Sequence, residues 1–289
     1  MKLGAHVSSA GGYAKAVKRV SEIGGTCLQI FSTSPRGWKP AEPDEEERKA
    51  FLEARNECGV DPVYFHAAYL INLAGSAEIQ KRSVEALTAE LSTASRFGVR
   101  GSIIHLGSFT DKKRADNETA LFKEDPGAYD DLIENAREIV KRTPDDVFFI
   151  IENMGMRKVG KDLEEIAFII EKLNSTRVRV CLDTCHLHAA GYDLSNEEAL
   201  ETFLTRFDTL IGLELLDVIH VNDSRDEFGS LRDRHENIGE GFVGMDTFSH
   251  MLNHPKLKEV PFIAEVPGFD GNGPDKENLD ILKGLLDTA

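Results

Sequence analysis

Short apolar runs alternate with amphipathic segments along the whole chain. Eight of these runs are rich in β-branched or aromatic residues, which is typical of strands buried on both faces of a parallel sheet. They cover Leu3–Val7, Cys27–Phe31, Val63–Phe65, Ser102–Leu106, Val147–Ile151, Val178–Leu182, Val218–Val221 and Val260–Val266. The pattern therefore predicts eight parallel strands.

The segments between these runs have the spacing of amphipathic helices. In Ala77–Phe97 and in Leu163–Leu173, apolar residues recur at steps of three and four. Ser76 stands where it can cap the first of these helices, and Gly98 follows its end. The acidic run Asp44–Glu47 suits the first turn of another helix, because the helix dipole favours negative charge there. Strands that alternate with helices predict parallel βαβ units.

Length and composition agree with one large α/β domain. A closed (β/α)8 barrel, or TIM barrel, runs to about 250 residues, and this chain has 289, of which 41% are hydrophobic and 29% charged. We expect a single barrel domain over residues 1–289, with functional loops at the C-terminal rim of the strands. The two long polar connections, at about 107–126 and 222–244, are candidates for such loops.

Apolar runs long enough to cross a membrane, and the apolar stretch of a signal peptide, are both missing from the sequence. We therefore expect a cytoplasmic protein without a membrane partner. The four cysteines form no CxxC pair, and we expect them to pack as small apolar side chains. The net charge of −16 argues against a nucleic-acid partner, because phosphate binding requires a basic surface. Any DNA-binding function must therefore depend on local positive charge.

Six consecutive apolar runs end in a histidine or a carboxylate. Those residues are His66, His105, Glu152, Asp183, His220 and Glu265. Barrel enzymes have their active sites at the C-terminal ends of the strands, so these side chains are expected to converge. Imidazole nitrogen and carboxylate oxygen are ligands for zinc and other divalent metals.

Three further candidates lie just beyond the strands: His186, Asp233 and His235. With them the set has five histidines and four carboxylates, too many ligands for one ion and suitable for two or three. A single histidine at a strand end is usually satisfied by its neighbours. Four carboxylates at one rim, however, would repel each other without cations. For the other histidines, His6, His188, His250 and His254, we expect surface or structural roles.

The sequence around these residues resembles the endonuclease IV family. The motifs that carry the resemblance are His66-Ala-Ala-Tyr-Leu-Ile-Asn72, Val180-Cys-Leu-Asp-Thr-Cys-His186 and His220-Val-Asn-Asp-Ser224 with Asp233-Arg-His235. The opening Gly4-Ala-His-Val-Ser8 and the segment from Phe31 to Trp38 match in order, so the likeness covers nearly the whole chain.

The resemblance implies a zinc enzyme of base excision repair. It would hydrolyse the phosphodiester 5′ to an abasic site in duplex DNA and leave a 3′-hydroxyl and a 5′-deoxyribose phosphate. Three zinc ions are implied, with manganese an alternative at one site. By position, their ligands would be His66, His105 and Glu152; the bridging Glu152 with Asp183, His220 and Glu265; and His186, Asp233 and His235. Glu152, Asp183 and Glu265 would be the catalytic carboxylates.

The same resemblance implies residues that engage the lesion. Arg36 and the pair Tyr69-Leu70 would enter the DNA from the minor groove and open the base stack. Gly37 departs from the larger polar residue expected beside Arg36, which puts one contact with the lesion in doubt. Positive charge at the rim would come from Arg232 and Arg234 in the seventh loop. In the fourth loop, the cations are Lys112, Lys113 and Arg114. We expect the enzyme to act as a monomer.

Two other functions remain open from the sequence. Sugar isomerases and epimerases of the xylose-isomerase-like type have the same barrel and a rim of histidines and carboxylates, but they use one or two ions. They give no reason for a third site at Asp233-Arg-His235. A non-catalytic protein that binds lesions would require an altered ligand set, and none of the nine positions is altered.

Overall fold

Eight parallel strands close into a barrel in this computed structural model, which describes residues 1–40, 42–110, 121–156 and 158–286. The strands are β1 (Leu3–His6), β2 (Cys27–Phe31), β3 (Val63–His66), β4 (Gly101–Ile104), β5 (Phe148–Glu152), β6 (Val178–Asp183), β7 (Leu216–His220) and β10 (Phe262–Ala264). Each pairs with its sequence neighbour, and Leu3 of β1 opposite Phe262 of β10 closes the ring. The predicted (β/α)8 barrel is confirmed.

Two strands of two residues each lie outside the barrel. β8 (Asp223–Ser224) pairs antiparallel with β9 (His235–Glu236), so part of the long loop after β7 is a hairpin. The hydrophobic pattern did not predict this hairpin, because two residues are too few to show a period.

Helices cover the outside of the barrel. The α-helices are Tyr13–Glu22, Glu45–Cys58, Ala77–Phe97, Leu121–Glu124, Asp130–Arg142, Leu163–Leu173, Thr184–Ala190, Glu197–Leu210, Met245–Asn253 and Lys276–Gly284. Short 3₁₀ turns lie at Pro126–Tyr129, Leu213–Leu215 and Pro255–Leu257. In the described part of the chain, no helix combines the length and apolar composition needed to cross a bilayer.

The helix boundaries follow the predicted signals with one exception. Asp44 accepts a hydrogen bond from the backbone N–H of Glu47, so the acidic run does begin a helix. Gly98 ends its helix in the left-handed conformation, at φ 61°. Ser76 occupies the N-cap position, but the prediction that its side chain makes a capping hydrogen bond is wrong. The hydroxyl lies on an exposed residue, and only the backbone carbonyl accepts, from Gln80.

The barrel interior is filled by side chains below the rim. A buried cluster inside the ring consists of Cys27, Tyr64, Ile103, Ile150, Cys181, Val218 and Ile263. The larger core lies between the strands and the helices. Cys27, Cys181 and Cys185 are buried free thiols. The sulfurs of Cys181 and Cys185 also lie within 4.8 Å of ligand atoms at the rim. The residues at the rim therefore stand on a packed floor that excludes water from below.

Candidate metal centre

The six predicted strand-end residues meet at one rim of the barrel, and Glu152 lies at their centre. One of its carboxylate oxygens, Oε2, is 2.7 Å from His105 Nε2 and 3.3 Å from His66 Nε2. The other oxygen, Oε1, is 3.0 Å from His220 Nδ1 and 3.4 Å from His186 Nδ1. Each oxygen of one fully buried carboxylate thus faces a different set of imidazoles.

The first group of possible ligands contains His66, His105 and Glu152. One ligand atom from each lies within 4.8 Å of the others. His66 Nδ1 is 2.8 Å from the backbone carbonyl of Ala67, so this nitrogen carries the proton and donates it. His66 Nε2 is then left with a free lone pair that points into the group, which is the usual arrangement of a metal-bound histidine.

The second group contains Glu152, Asp183, His220 and Glu265, whose ligand atoms also lie within 4.8 Å of each other. His220 Nδ1 is 3.2 Å from Glu265 Oε2 and 3.8 Å from Asp183 Oδ2. The strand register explains this proximity, because Asp183 of β6 stands directly opposite His220 of β7.

The third group is built by the helix after β6 and by the hairpin after β7. His186 Nε2 is 3.0 Å from Asp233 Oδ1, and His235 Nε2 is 3.5 Å from the same oxygen. Asp183 also reaches this group, with Oδ2 3.6 Å from His235 Nε2. The structure therefore brings together all nine candidate ligands, and Asp183 lies between the second and third groups.

The buried nitrogens of this rim fit a set of divalent cations. The Nε2 atoms of His105, His186 and His235 are buried, and none of them makes a hydrogen bond with the described residues. They nevertheless face carboxylate oxygens at distances of 2.7–3.6 Å. A buried polar atom without a partner is costly. A cation held jointly by these nitrogens and oxygens would satisfy them, and the donor set suits zinc.

At Glu152 and at His186, the charges of neighbouring groups outweigh the effect of burial on the pKa. Burial alone would raise the pKa of Glu152, but His105 and His220 hold it well below its ordinary value. Burial alone would lower the pKa of His186, but Asp183 and Asp233 raise it to about 10. Metal ions bind the neutral imidazole and not the imidazolium cation, so binding of a cation here would release protons.

Two asparagines hold the ligands in place. Asn222 donates from Nδ2 to Asp183 Oδ2 at 2.6 Å and accepts from the backbone N–H of Glu265 at 2.7 Å. Asn153 accepts from the backbone N–H of Asp183 at 2.7 Å, and its own backbone carbonyl lies 2.8 Å from His186 Nδ1. Asn153 directly follows the end of β5, and Asn222 lies two residues beyond the end of β7. Their positions beside strand ends could have identified them from the sequence.

Of the surface and structural roles expected for His6, the surface role is wrong. His6 Nδ1 lies 3.1 Å from Glu265 Oε1, so this side chain belongs to the site and not to the surface. Closure of the barrel places β1 beside β10, the first and last strands of the ring. These two strands are far apart in the sequence. His188 and His254 contact residues outside the site, Asp226 and Glu201, as expected for structural roles.

The residues predicted to engage DNA lie beside the opening of the site. Tyr69 is 64% exposed and contacts Phe31 edge-on, with ring centroids 5.2 Å apart. Its backbone N–H donates to the carbonyl of Pro35, which joins the loops that follow β2 and β3. Arg36 is exposed on the first of these loops, and Leu70 is half-buried on the second. A cavity of about 380 Å³ opens next to Tyr69 and is lined by ligand candidates.

The predicted cations differ in how free they are. Arg234 donates to both oxygens of Asp226, at 2.8 and 2.5 Å, and Arg232 lies 3.4 Å from the same carboxylate. Asp226 therefore offsets much of the positive charge expected from the seventh loop. The three cations expected in the fourth loop, Lys112, Lys113 and Arg114, lie outside the described residues.

Comparison with known proteins identifies the family. The family described as "Xylose isomerase-like TIM barrel" matches residues 17–285. A protein named "Probable endonuclease 4" from Halothermothrix orenii is 38% identical over 287 residues, 98% of this chain and 99% of that protein. A protein of the same name from Methanosphaerula palustris is 40% identical over 279 residues, 92% of each chain.

Solved structures agree with this result. The crystal structure of endonuclease IV from Thermus thermophilus matches with a TM-score of 0.83 at 32% identity, covering 99% of this chain and 98% of that one. A D-tagatose 3-epimerase-like protein matches with a TM-score of 0.70 at 21% identity, covering 99% of this chain and 97% of that one, which shows a shared fold alone. On the family match and these full-length relatives, the chain belongs to the endonuclease IV family.

Proposed function

We propose that the protein is a zinc-dependent endonuclease of base excision repair. It hydrolyses the phosphodiester 5′ to an abasic site in duplex DNA and leaves a 3′-hydroxyl and a 5′-deoxyribose phosphate. The observation that carries this proposal is the position of Glu152, whose two oxygens face two separate groups of imidazoles within 3.4 Å. Such a carboxylate can bridge two ions, as sites that activate water for attack on phosphorus require.

Three zinc ions would be held by the nine ligand candidates. His66 and His105 share Glu152 with the second set, which is completed by Asp183, His220 and Glu265. The third set is His186, Asp233 and His235, with Asp183 beside it. When bound, the zinc ions would act as Lewis acids that activate water and stabilise charge on the leaving oxygen. Manganese at one of the three sites is compatible with the same donors.

The chain itself must attract a phosphate despite its net charge of −16. Three divalent ions bring six positive charges against the four carboxylates of the rim, which leaves the loaded site at about +2. The attraction is then local, and the acidic charge elsewhere matters less because salt screens it over about 8–10 Å. Asn222 and Asn153 fix Asp183 during this process, because they bind its carboxylate and its backbone.

Tyr69 and Leu70 are proposed to enter the base stack at the lesion, with Arg36 beside them. Support comes from the exposure of Tyr69 at the opening of the site and from its packing against Phe31. Apolar and aromatic wedges are a known means of unstacking a base step, and an abasic nucleotide costs least to extrude. Arg234 is proposed to contact the DNA backbone, which requires it to leave Asp226 or to share it.

A sugar epimerase is the second candidate, favoured by the fold shared with the D-tagatose 3-epimerase-like protein. The third ligand group argues against an epimerase, since an enzyme with one or two ions has no use for Asp233 and His235 at the rim.

We also propose that the protein is a monomer and is located in the cytoplasm. Size-exclusion chromatography with light scattering tests the first of these two.

The test combines elemental analysis with a nicking assay. Purified protein is expected to contain close to three zinc ions per chain and to cut a duplex that carries one tetrahydrofuran abasic analogue. The intact duplex of the same sequence is the control, and primer extension from the nick checks for a 3′-hydroxyl. One ion per chain together with epimerisation of a ketose would reverse the choice. Binding of the abasic duplex by zinc-loaded protein without any nick would indicate a lesion-binding protein.

A further inference from the structure

Gln29 is a polar side chain in the middle of an apolar strand. It lies in β2, between Leu28 and Ile30, and is completely buried. Its amide contacts side chains of three other barrel strands or their ends: His6 of β1, His220 of β7 and Glu265 after β10. Gln29 is not one of the nine ligand candidates, so its contacts need a separate explanation.

The carboxylate of Glu265 fixes which way the amide of Gln29 points. Gln29 Nε2 is 2.5 Å from Glu265 Oε1. An ionised carboxylate can only accept hydrogen bonds, so the amide end that faces it must be the NH₂ group. The opposite orientation would set two oxygens against each other. The carbonyl oxygen of Gln29 therefore faces the other way, towards His220.

This orientation determines the tautomer of His220. Gln29 Oε1 lies 2.7 Å from His220 Nε2, and an amide oxygen can only accept. Nε2 must then carry a proton and donate it. In the neutral imidazole, the form that binds a metal, the lone pair of His220 is therefore on Nδ1. This atom lies 3.0 Å from Glu152 Oε1 and 3.2 Å from Glu265 Oε2.

The same amide also gives the two oxygens of Glu265 different partners. Oε1 is occupied by Gln29 at 2.5 Å and lies 3.1 Å from His6 Nδ1. Oε2 faces His220 Nδ1 and remains available to the second ligand group. One side chain thus directs one nitrogen of a histidine and one oxygen of a carboxylate into the same space.

We propose that Gln29 is the positioning residue of the second metal site, which it preforms by fixing the His220 tautomer and the free oxygen of Glu265. This inference deepens the proposed function and rests on it, because it requires a cation at that site. His66 and His186 have their second nitrogens beside backbone carbonyls, which no substitution removes. His220 depends on a side chain, so its positioning can be tested by mutation.

The variant Gln29→Met keeps the length of the side chain and removes both its donor and its acceptor. Tyr64→Phe is the matched control, because it also removes one buried hydrogen bond inside the barrel, to the carbonyl of Asp217, away from the rim. Zinc-loaded proteins are titrated with a competing chelator. We expect one of the ions to bind about 10–100-fold more weakly in Gln29→Met, and all ions to bind normally in Tyr64→Phe.

A second measurement needs no variant. In wild-type protein loaded with cadmium-113 and labelled with nitrogen-15, we expect a metal coupling to His220 Nδ1 and a proton on Nε2. Coupling to Nε2 would overturn the inference, and so would unchanged zinc affinity in a folded Gln29→Met protein. These outcomes leave the proposed function standing if wild-type protein still binds zinc and cuts the abasic duplex. Wild-type protein that binds no metal would overturn both.

Discussion

Buried carboxylates occur in two different regions of this barrel, and their surroundings shift their pKa values in opposite directions. At the rim, histidines hold the pKa of Glu152 and of Glu265 well below the ordinary value, although burial acts in the other direction. On the outer layer, burial raises the pKa of Glu90 and of Glu165, and hydroxyl and backbone partners only reduce the effect.

The contacts explain this difference. Glu90 accepts hydrogen bonds from Ser32 and Ser102, and so ties its helix to β4 and to the loop after β2. Such neutral partners satisfy a buried carboxyl without requiring its charge. Glu152 faces imidazoles, which stabilise its charge and compete with a cation for it. A buried carboxylate whose pKa is lowered by imidazoles therefore distinguishes the rim from the outer layer.

The largest effect that this comparison predicts is for Glu152→Gln. Loss of the bridging charge is expected to reduce incision at least about 10³-fold, since two ions lose a shared ligand. The fold should remain, because the side chain keeps its volume. Incision rates and circular dichroism of the variant measure the two effects. Near-normal turnover would contradict the assigned role of Glu152.

Removal of the metal is expected to abolish incision and to lower thermal stability, and added zinc should restore both. Binding to the folded state alone stabilises it by about 2.7 kcal/mol at a free-ion concentration 100 times the Kd. Dialysis against a chelator, followed by calorimetry and the nicking assay, measures the change. An unchanged melting temperature together with full activity would show that neither incision nor stability requires a metal.

Tyr69→Ala should leave the rim chemistry intact and weaken only the engagement of the lesion. Loss of a stacking contact costs about 1–3 kcal/mol, which corresponds to about 5–150-fold in kcat/KM for the abasic duplex. Zinc content is measured on the same preparation. A parallel loss of zinc would mean that Tyr69 is structural.

The smallest effect concerns the pH dependence of stability. The folded pKa of Glu90 is raised above its unfolded value of about 4.3, so its contribution is complete below that pH and is lost as the pH rises through the folded pKa. Glu90→Gln should therefore gain stability relative to wild type as the pH rises above about 4.3, until the folded pKa of Glu90 is passed. The gain is about 1.4 kcal/mol for each pH unit that separates the folded pKa from the unfolded one.

Urea denaturation at several pH values measures this difference. Glu85→Gln is the control, because Arg142 lowers the pKa of exposed Glu85 and the sign should reverse. A difference between Glu90→Gln and wild type that stays constant with pH would show that folding does not raise the pKa of Glu90.

The sequence predicted the barrel and the ligands that end its strands for the same reason. A buried strand reads as a continuous apolar run, and a residue such as Glu152 or Asp183 interrupts that run where the strand reaches the rim. What the sequence did not predict depends on ring closure and on side-chain direction. His6 was dismissed because its partner Glu265 is 259 positions away, and Gln29 was hidden inside an apolar run.

The ligand group at the hairpin after β7 was predicted only in part. The resemblance assigned Asp233 and His235 to one group with His186, and the structure places them together. The sequence did not indicate that Asp183 also reaches this group, at 3.6 Å from His235, because two-residue strands leave no pattern. The pairing of Arg234 with Asp226 was equally invisible, since it depends on how that hairpin folds.

Anomalous diffraction at the zinc edge tests most directly whether cations bind among these nine side chains. Crystals of the zinc-loaded protein are predicted to give three peaks at the rim, one of them between His66, His105 and Glu152 and a second within bonding distance of the other Glu152 oxygen. A rim without anomalous density in zinc-loaded crystals would contradict the account.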